Sequence, residues 1–167
     1  MKIEPESPVY HERLTSPRTL VLFLGLALLF GLLFAWRLST AGIDTLGVIL
    51  LCFAVIFLFY VLNYHSLEIV ISPQSLKLKF GIFRWTEGLD NIACCQIDEL
   101  PWLLKYGGAG IHFMTVNQRY RASYNFLEYP RVVIALKRKR GLVCDLSFST
   151  RQPEQVIQTL CGINGSK

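Results

Sequence analysis

The sequence predicts an α+β chain in which a two-helix transmembrane hairpin precedes a bent antiparallel β domain closed by one C-terminal helix. Three observations lead to this fold class. Two uncharged apolar stretches lie close together near the N-terminus, period-two alternation starts directly after them, and the last periodic segment has the spacing of an amphipathic helix. The chain accordingly divides into a polar cytoplasmic segment at 1–18, a transmembrane hairpin at 19–63 and a β domain at 64–167.

Residues 19–36 read TLVLFLGLALLFGLLFAW and residues 45–63 read TLGVILLCFAVIFLFYVLN, neither with a charge. At a helical rise of ~1.5 Å per residue, each is just long enough to cross a hydrocarbon layer of ~30 Å. A pair of buried core helices is the soluble alternative, but a domain this small cannot enclose two helices that are apolar on every face. The first stretch is too long for the apolar region of a signal peptide, and a second span follows almost at once. The linker RLSTAGID at 37–44 leaves room only for a turn, so the spans form an antiparallel hairpin. Arg13, Arg18, Lys77, Lys79 and Arg84 on one side outweigh Arg37 on the other, which places both termini in the cytoplasm. Trp36, Tyr60 and Tyr64 lie at the span ends, where amphipathic rings favour the interface.

Ala27, Gly31 and Ala35 recur every four residues and line one face of the first span. Small residues allow close backbone approach in lipid, so this face is expected to pack on the second span, with a dimer contact as the alternative. No Asp, Glu, Lys, Arg or His lies inside either span, which argues against a transporter, channel or pump acting alone.

After Tyr64, Leu67, Ile69 and Ile71 alternate with Glu68 and Val70. Beyond the turn Ser72-Pro73-Gln74, Leu76, Leu78 and Phe80 alternate with Lys77 and Lys79, giving a β-hairpin. Further strands are expected at 81–85, 92–97 and 111–116, with a glycine-marked bend at Gly107, Gly108 and Gly110 and a short aromatic piece at 120–126. Residues 131–136 and 142–148 form the clearest hairpin, across a turn containing Lys137, Arg138, Lys139 and Arg140. The closing helix opens at Pro153 and Glu154, presents Val156, Ile157, Leu160 and Cys161 on one face, and stops near Gly162.

These features resemble the bacterial pleckstrin-homology-like membrane proteins. The resemblance rests on the membrane hairpin, on Tyr106, Gly107, Gly110 and Ile111, on Tyr124 and Asn125, on Val132, Leu136 and Gly141, and on Thr150, Pro153 and Glu154. It spans nearly the whole chain and departs at His112, where that family commonly carries Arg. The resemblance implies a PH-like antiparallel β-barrel capped by one helix, self-association, residence in a bacterial inner membrane and no catalytic residues.

The net charge of +5 sits wholly after Tyr64, because acidic and basic residues cancel in the N-terminal segment and in the linker. A basic domain tethered to a bilayer most naturally meets an anionic leaflet; nucleic acid is disfavoured by the anchor and the absence of any motif for it. The run Lys137, Arg138, Lys139 and Arg140 is either a solvated turn or a contact for anionic lipid head groups. Tyr120, Tyr124, Phe126 and Tyr129, with Arg119, Arg121 and Arg131 nearby, carry the residue types enriched at protein interfaces; the alternative is that their rings complete the core. Cys94 and Cys95 are adjacent in a strand and point to opposite faces, which disfavours a disulfide, and the five cysteines lack the spacing of a metal site. No metal, cofactor or catalytic set is expected. The sequence reads as a non-enzymatic, membrane-anchored interaction module or accessory subunit, associating with itself or another membrane protein, with lipid sensing as the alternative.

Overall fold

A computed structural model describes residues 8–99 and 110–165. Its elements run β1 (Tyr10–Thr15), α1 (Pro17–Ala41), α2 (Thr45–Asn63), β2 (Ser66–Ile71), β3 (Ser75–Phe80), β4 (Phe83–Gly88), a 3₁₀ turn (Leu89–Asn91), β5 (Ile92–Ile97), β6 (Gly110–Val116), β7 (Arg119–Asn125), β8 (Arg131–Arg140), β9 (Val143–Ser149) and α3 (Pro153–Gly165). The fold is α+β, and the chain divides into two compact units: the helical hairpin from Ser16 to His65, and everything before and after it.

In the hairpin unit, α1 begins behind a Ser16 cap whose Oγ accepts from the Thr19 N–H at 3.1 Å, with Pro17 in the first turn where its missing N–H costs nothing. The helix continues through the expected linker to Ala41, so the turn is only three residues, Gly42 to Asp44. Gly42 takes φ +71°, a conformation that costs a side-chain-bearing residue and not glycine. Asp44 caps α2 by accepting from the Gly47 N–H at 2.9 Å, and Arg37 donates to the same carboxylate at 2.6 Å. Both helices are long and apolar enough to cross a bilayer. Although built almost wholly of Leu, Phe, Val and Ile, α1 buries only Thr19 and α2 only Gly47 and Asn63.

In the β unit, β1 to β4 form one meandering antiparallel sheet, in order. Its first strand comes from the polar N-terminal segment: Tyr10 lies opposite Ile71 and Thr15 opposite Ser66. Glu12 ties this strand to the far end of the unit, accepting from the Thr150 hydroxyl at 2.6 Å and the Arg151 N–H at 3.0 Å, and the Tyr129 hydroxyl donates to the Thr15 carbonyl at 2.8 Å. The period-two pattern is realised residue by residue, with Leu67, Ile69, Ile71, Leu76, Leu78 and Phe80 fully buried. Burial of each such side chain contributes roughly 1.5–3 kcal/mol.

The second sheet has the order β5-β8-β9-β7-β6. The closed antiparallel barrel expected from the sequence is therefore replaced, among the described residues, by two sheets. The second is also mixed, since β7 and β9 run parallel with Ala122 opposite Leu146. A physical reason lies at the corner between the sheets. The Leu89–Asn91 turn interrupts the strand path, and the Asn91 side-chain amide takes both backbone groups of Arg138, donating to its carbonyl at 3.0 Å and accepting from its N–H at 2.8 Å. A side chain thus occupies backbone groups that a continuous ladder would use. The core lies against the inward faces, where Phe80 meets Phe126 with ring centres 5.0 Å apart. The α3 residues Val156 and Leu160 are fully buried, as the helical spacing requires. The bend expected at Gly107 and Gly108 lies outside the described residues, as does Tyr106; Gly110 opens β6 at φ +102°.

Candidate functional site

Within the hairpin unit, the helices meet through aromatic rings. Phe30 stacks on Phe53 and Phe57 at 5.1 and 5.6 Å, and Phe23 meets Tyr60 at 5.2 Å. Of the small residues on α1, Ala27 and Gly31 are half-buried and Ala35 is exposed; a Cβ built on Gly31 meets nothing within 4 Å. The close approach falls instead at Gly47, where an added Cβ would lie 3.1 Å from the Asp44 carboxylate and 3.9 Å from Phe34.

The basic run expected in a turn forms the last four residues of β8, and the turn itself is Gly141 at φ +62° with Leu142. Strand alternation splits the four side chains into two pairs. Arg138 reaches Asp90 at 3.1 Å. Arg140 lies over the Trp85 ring at 4.6 Å, donates to the Thr86 carbonyl and sits 3.8 Å from buried Glu87. Glu87 also accepts from Asn91 Nδ2 at 2.8 Å and Trp85 Nε1 at 3.2 Å. Lys137 and Lys139 are exposed, and neither forms an ion pair among the described residues.

The aromatic segment likewise divides. Tyr124 and Phe126 are buried, Tyr124 edge-on to Trp85 and Phe126 against Phe80 and Tyr129. Tyr120 and Tyr129 stay nearer the surface: Tyr120 stacks on exposed Phe113 at 5.9 Å, and Arg151 lies over the Tyr129 ring at 5.4 Å. Any surface contact of this segment falls to that second pair.

The feature missed in the sequence is the outer face of the second sheet, where polar residues are buried. Arg121 Nη1 donates to Asp98 at 3.0 Å, with both side chains almost fully buried, and the Ser147 hydroxyl reaches the other Asp98 oxygen at 3.4 Å. Arg119 donates to both oxygens of Asp145, at 2.6 and 3.0 Å. Arg131 is buried, and desolvation holds its pKa below the usual guanidinium value. Arg121 Nε and both ring nitrogens of His112 are buried without a hydrogen-bond partner among the described residues. Burial, and then the nearby Arg131, lower the His112 pKa. Arg119, Arg121, Gln96, Asn117 and Asp145 line a cavity of about 310 Å³ beside this cluster. The signal available in the sequence was Arg119, Arg121, Ser123 and Asn125 at every second position of one strand.

The cysteines described are free thiols. Cys94 and Cys95 face opposite sides of β5, paired with Ala135 and Ile134, and burial pushes Cys95 up to about 12. No group of three or more metal-ligating side chains occurs among the described residues. Comparison of the chain with protein-family models, with curated proteins and with solved structures finds no match.

Proposed function

We propose that this chain is a non-enzymatic, membrane-anchored interaction module that associates with itself or with another membrane protein. In this reading the hairpin spans a bacterial inner membrane with both termini cytoplasmic, and the β unit is a PH-like domain.

The observation that carries the reading is the pairing of β1 with β2, which places Thr15 opposite Ser66. The chain leaves the sheet for the apolar hairpin and returns to the adjacent strand at the same rung. Both ends of the hairpin thus belong on one side of any bilayer it crosses, and the β unit is held by two connections. The excess of basic residues in that unit favours the cytoplasmic side. Exposed apolar surface of the extent seen on α1 and α2 is unfavourable in water and ordinary in lipid.

A second reading, recognition of anionic head groups through the end of β8, is favoured by Lys137 and Lys139 alone, since Arg138 and Arg140 are engaged within the chain. The two readings separate in one experiment on the full chain in native membranes. The first expects a discrete cross-linked complex that Tyr120→Ala weakens and that Lys137→Ser with Lys139→Ser leaves intact. Recovery of the chain only as a monomer, at every cross-linker length, overturns association.

A further inference from the structure

We propose that the outer face of the first sheet and its β3–β4 tip form a second membrane contact, which seats anionic phospholipid head groups of the bilayer that holds the hairpin. The inference rests on the spanning reading and adds a site that the basic run on β8 does not include.

Four observations converge on it. First, Lys77, Lys79 and Arg84 line a shallow groove of about 430 Å³ with Glu68, Val70 and Thr86. Glu68 is the acidic residue among these, 3.9 Å from Lys79 and 3.1 Å from His11, so basic charge is in excess. Second, Lys79 lies directly opposite Arg84 across the β3–β4 pair. Like charges facing each other across antiparallel strands are destabilising, and an anion seated between them relieves the repulsion. Third, the hairpin tip beyond this pair is apolar: Ile82 is 70% exposed and Phe83 is 38% exposed. An apolar tip flanked by basic residues matches the layering of a bilayer surface, with acyl chains beneath anionic head groups.

The fourth observation is position. Leu67 pairs with Phe80, which pairs with Phe83, while Ser66 pairs with Thr15. The β3–β4 tip therefore lies at the end of the sheet where the chain departs for α1 and returns from α2. Only Ser16 separates β1 from α1, and only Tyr64 and His65 separate α2 from β2. Links of one or two residues reach at most ~7 Å, so the linked strand ends, Thr15 and Ser66, stay near the bilayer surface if the helices span. The β2–β3 turn at Ser72 to Gln74 lies at the opposite end.

The test uses the full chain in phosphatidylglycerol–phosphatidylcholine vesicles, with a spin label on an introduced keto amino acid so that the native cysteines remain. Labels at 82, 74 and 51 are compared by their collision rates with oxygen, which concentrates in lipid, and with a water-soluble nickel chelate. The expected oxygen-to-nickel ratio at 82 is several-fold above that at 74. It falls toward the value at 74 when Lys77, Lys79 and Arg84 are replaced by Gln, and in vesicles of phosphatidylcholine alone. Equal ratios at 82 and 74, with a bilayer-interior signal at 51, overturn the second contact and leave the spanning hairpin standing. A high ratio at 82 that ignores both the triple replacement and the lipid charge overturns the head-group site. A water-like signal at 51 overturns the spanning reading and this inference with it.

Discussion

On the first sheet, the side chains turned away from the core include Glu68, Lys77, Lys79 and Arg84, all exposed or half-exposed; on the second they include Arg121, Arg131, Asp145 and Ser147, all buried. The same period-two alternation underlies both faces. Solvation separates them, and with it the energetic role of each charge. A charge in water gains little from a partner and loses little without one, whereas a buried charge requires hydrogen bonds and an opposite charge to be tolerated. The first face is thus free to be shaped by what it binds. The second is constrained by the need to satisfy itself, which Asp98 does by accepting from Arg121 Nη1 on one oxygen and the Ser147 hydroxyl on the other.

The largest effect expected from this contrast is at Asp98. Asp98→Ala leaves the Arg121 guanidinium buried without its carboxylate and should cost about 3–5 kcal/mol in chemical or thermal unfolding. Pairing it with Arg121→Met, which removes the stranded charge, should recover much of that loss. A double variant as unstable as Asp98→Ala alone would show that the pair matters for packing and not for charge balance.

An intermediate effect is expected at His112, whose pKa is depressed by burial and by Arg131 from its ordinary 6.5. The folded state favours the neutral ring. As pH falls below 6.5, the unfolded chain takes up the proton first, so stability should decline with acidification and level off once the folded ring also protonates. His112→Gln should remove this part of the slope in unfolding curves measured between neutral and mildly acidic pH, and an unchanged slope would assign it to other groups.

The smallest effect belongs to the first sheet. Lys77→Gln, on the exposed face, should change stability by no more than about 0.5 kcal/mol by the same measurement. A cost comparable to that at Asp98 would erase the distinction between the faces.

Much of this architecture is legible locally. The two long apolar helices announce themselves through unbroken composition, α2 with the bounds expected and α1 longer at both ends. The inward residues of β2, β3, β8 and β9 follow from alternation, and Val156 and Leu160 from helical spacing. Other features were hidden because they depend on partners distant in the sequence. That the segment before α1 is a strand became evident only from its pairing with β2, where His11 meets Glu68 across 57 residues. That Phe23 meets Tyr60 and Phe30 stacks on Phe53 likewise depends on residues of the other helix.

What the sequence determined by itself is which side chains turn inward and which segments suit lipid, because both are set by periodicity and composition over a few adjacent residues. Only the tertiary structure decided which strands adjoin, that β7 and β9 run parallel, and that Arg121 finds Asp98. Alternation specifies a face and not a neighbour. The neighbour is selected when distant segments close on one another and every buried polar group must find a partner at once.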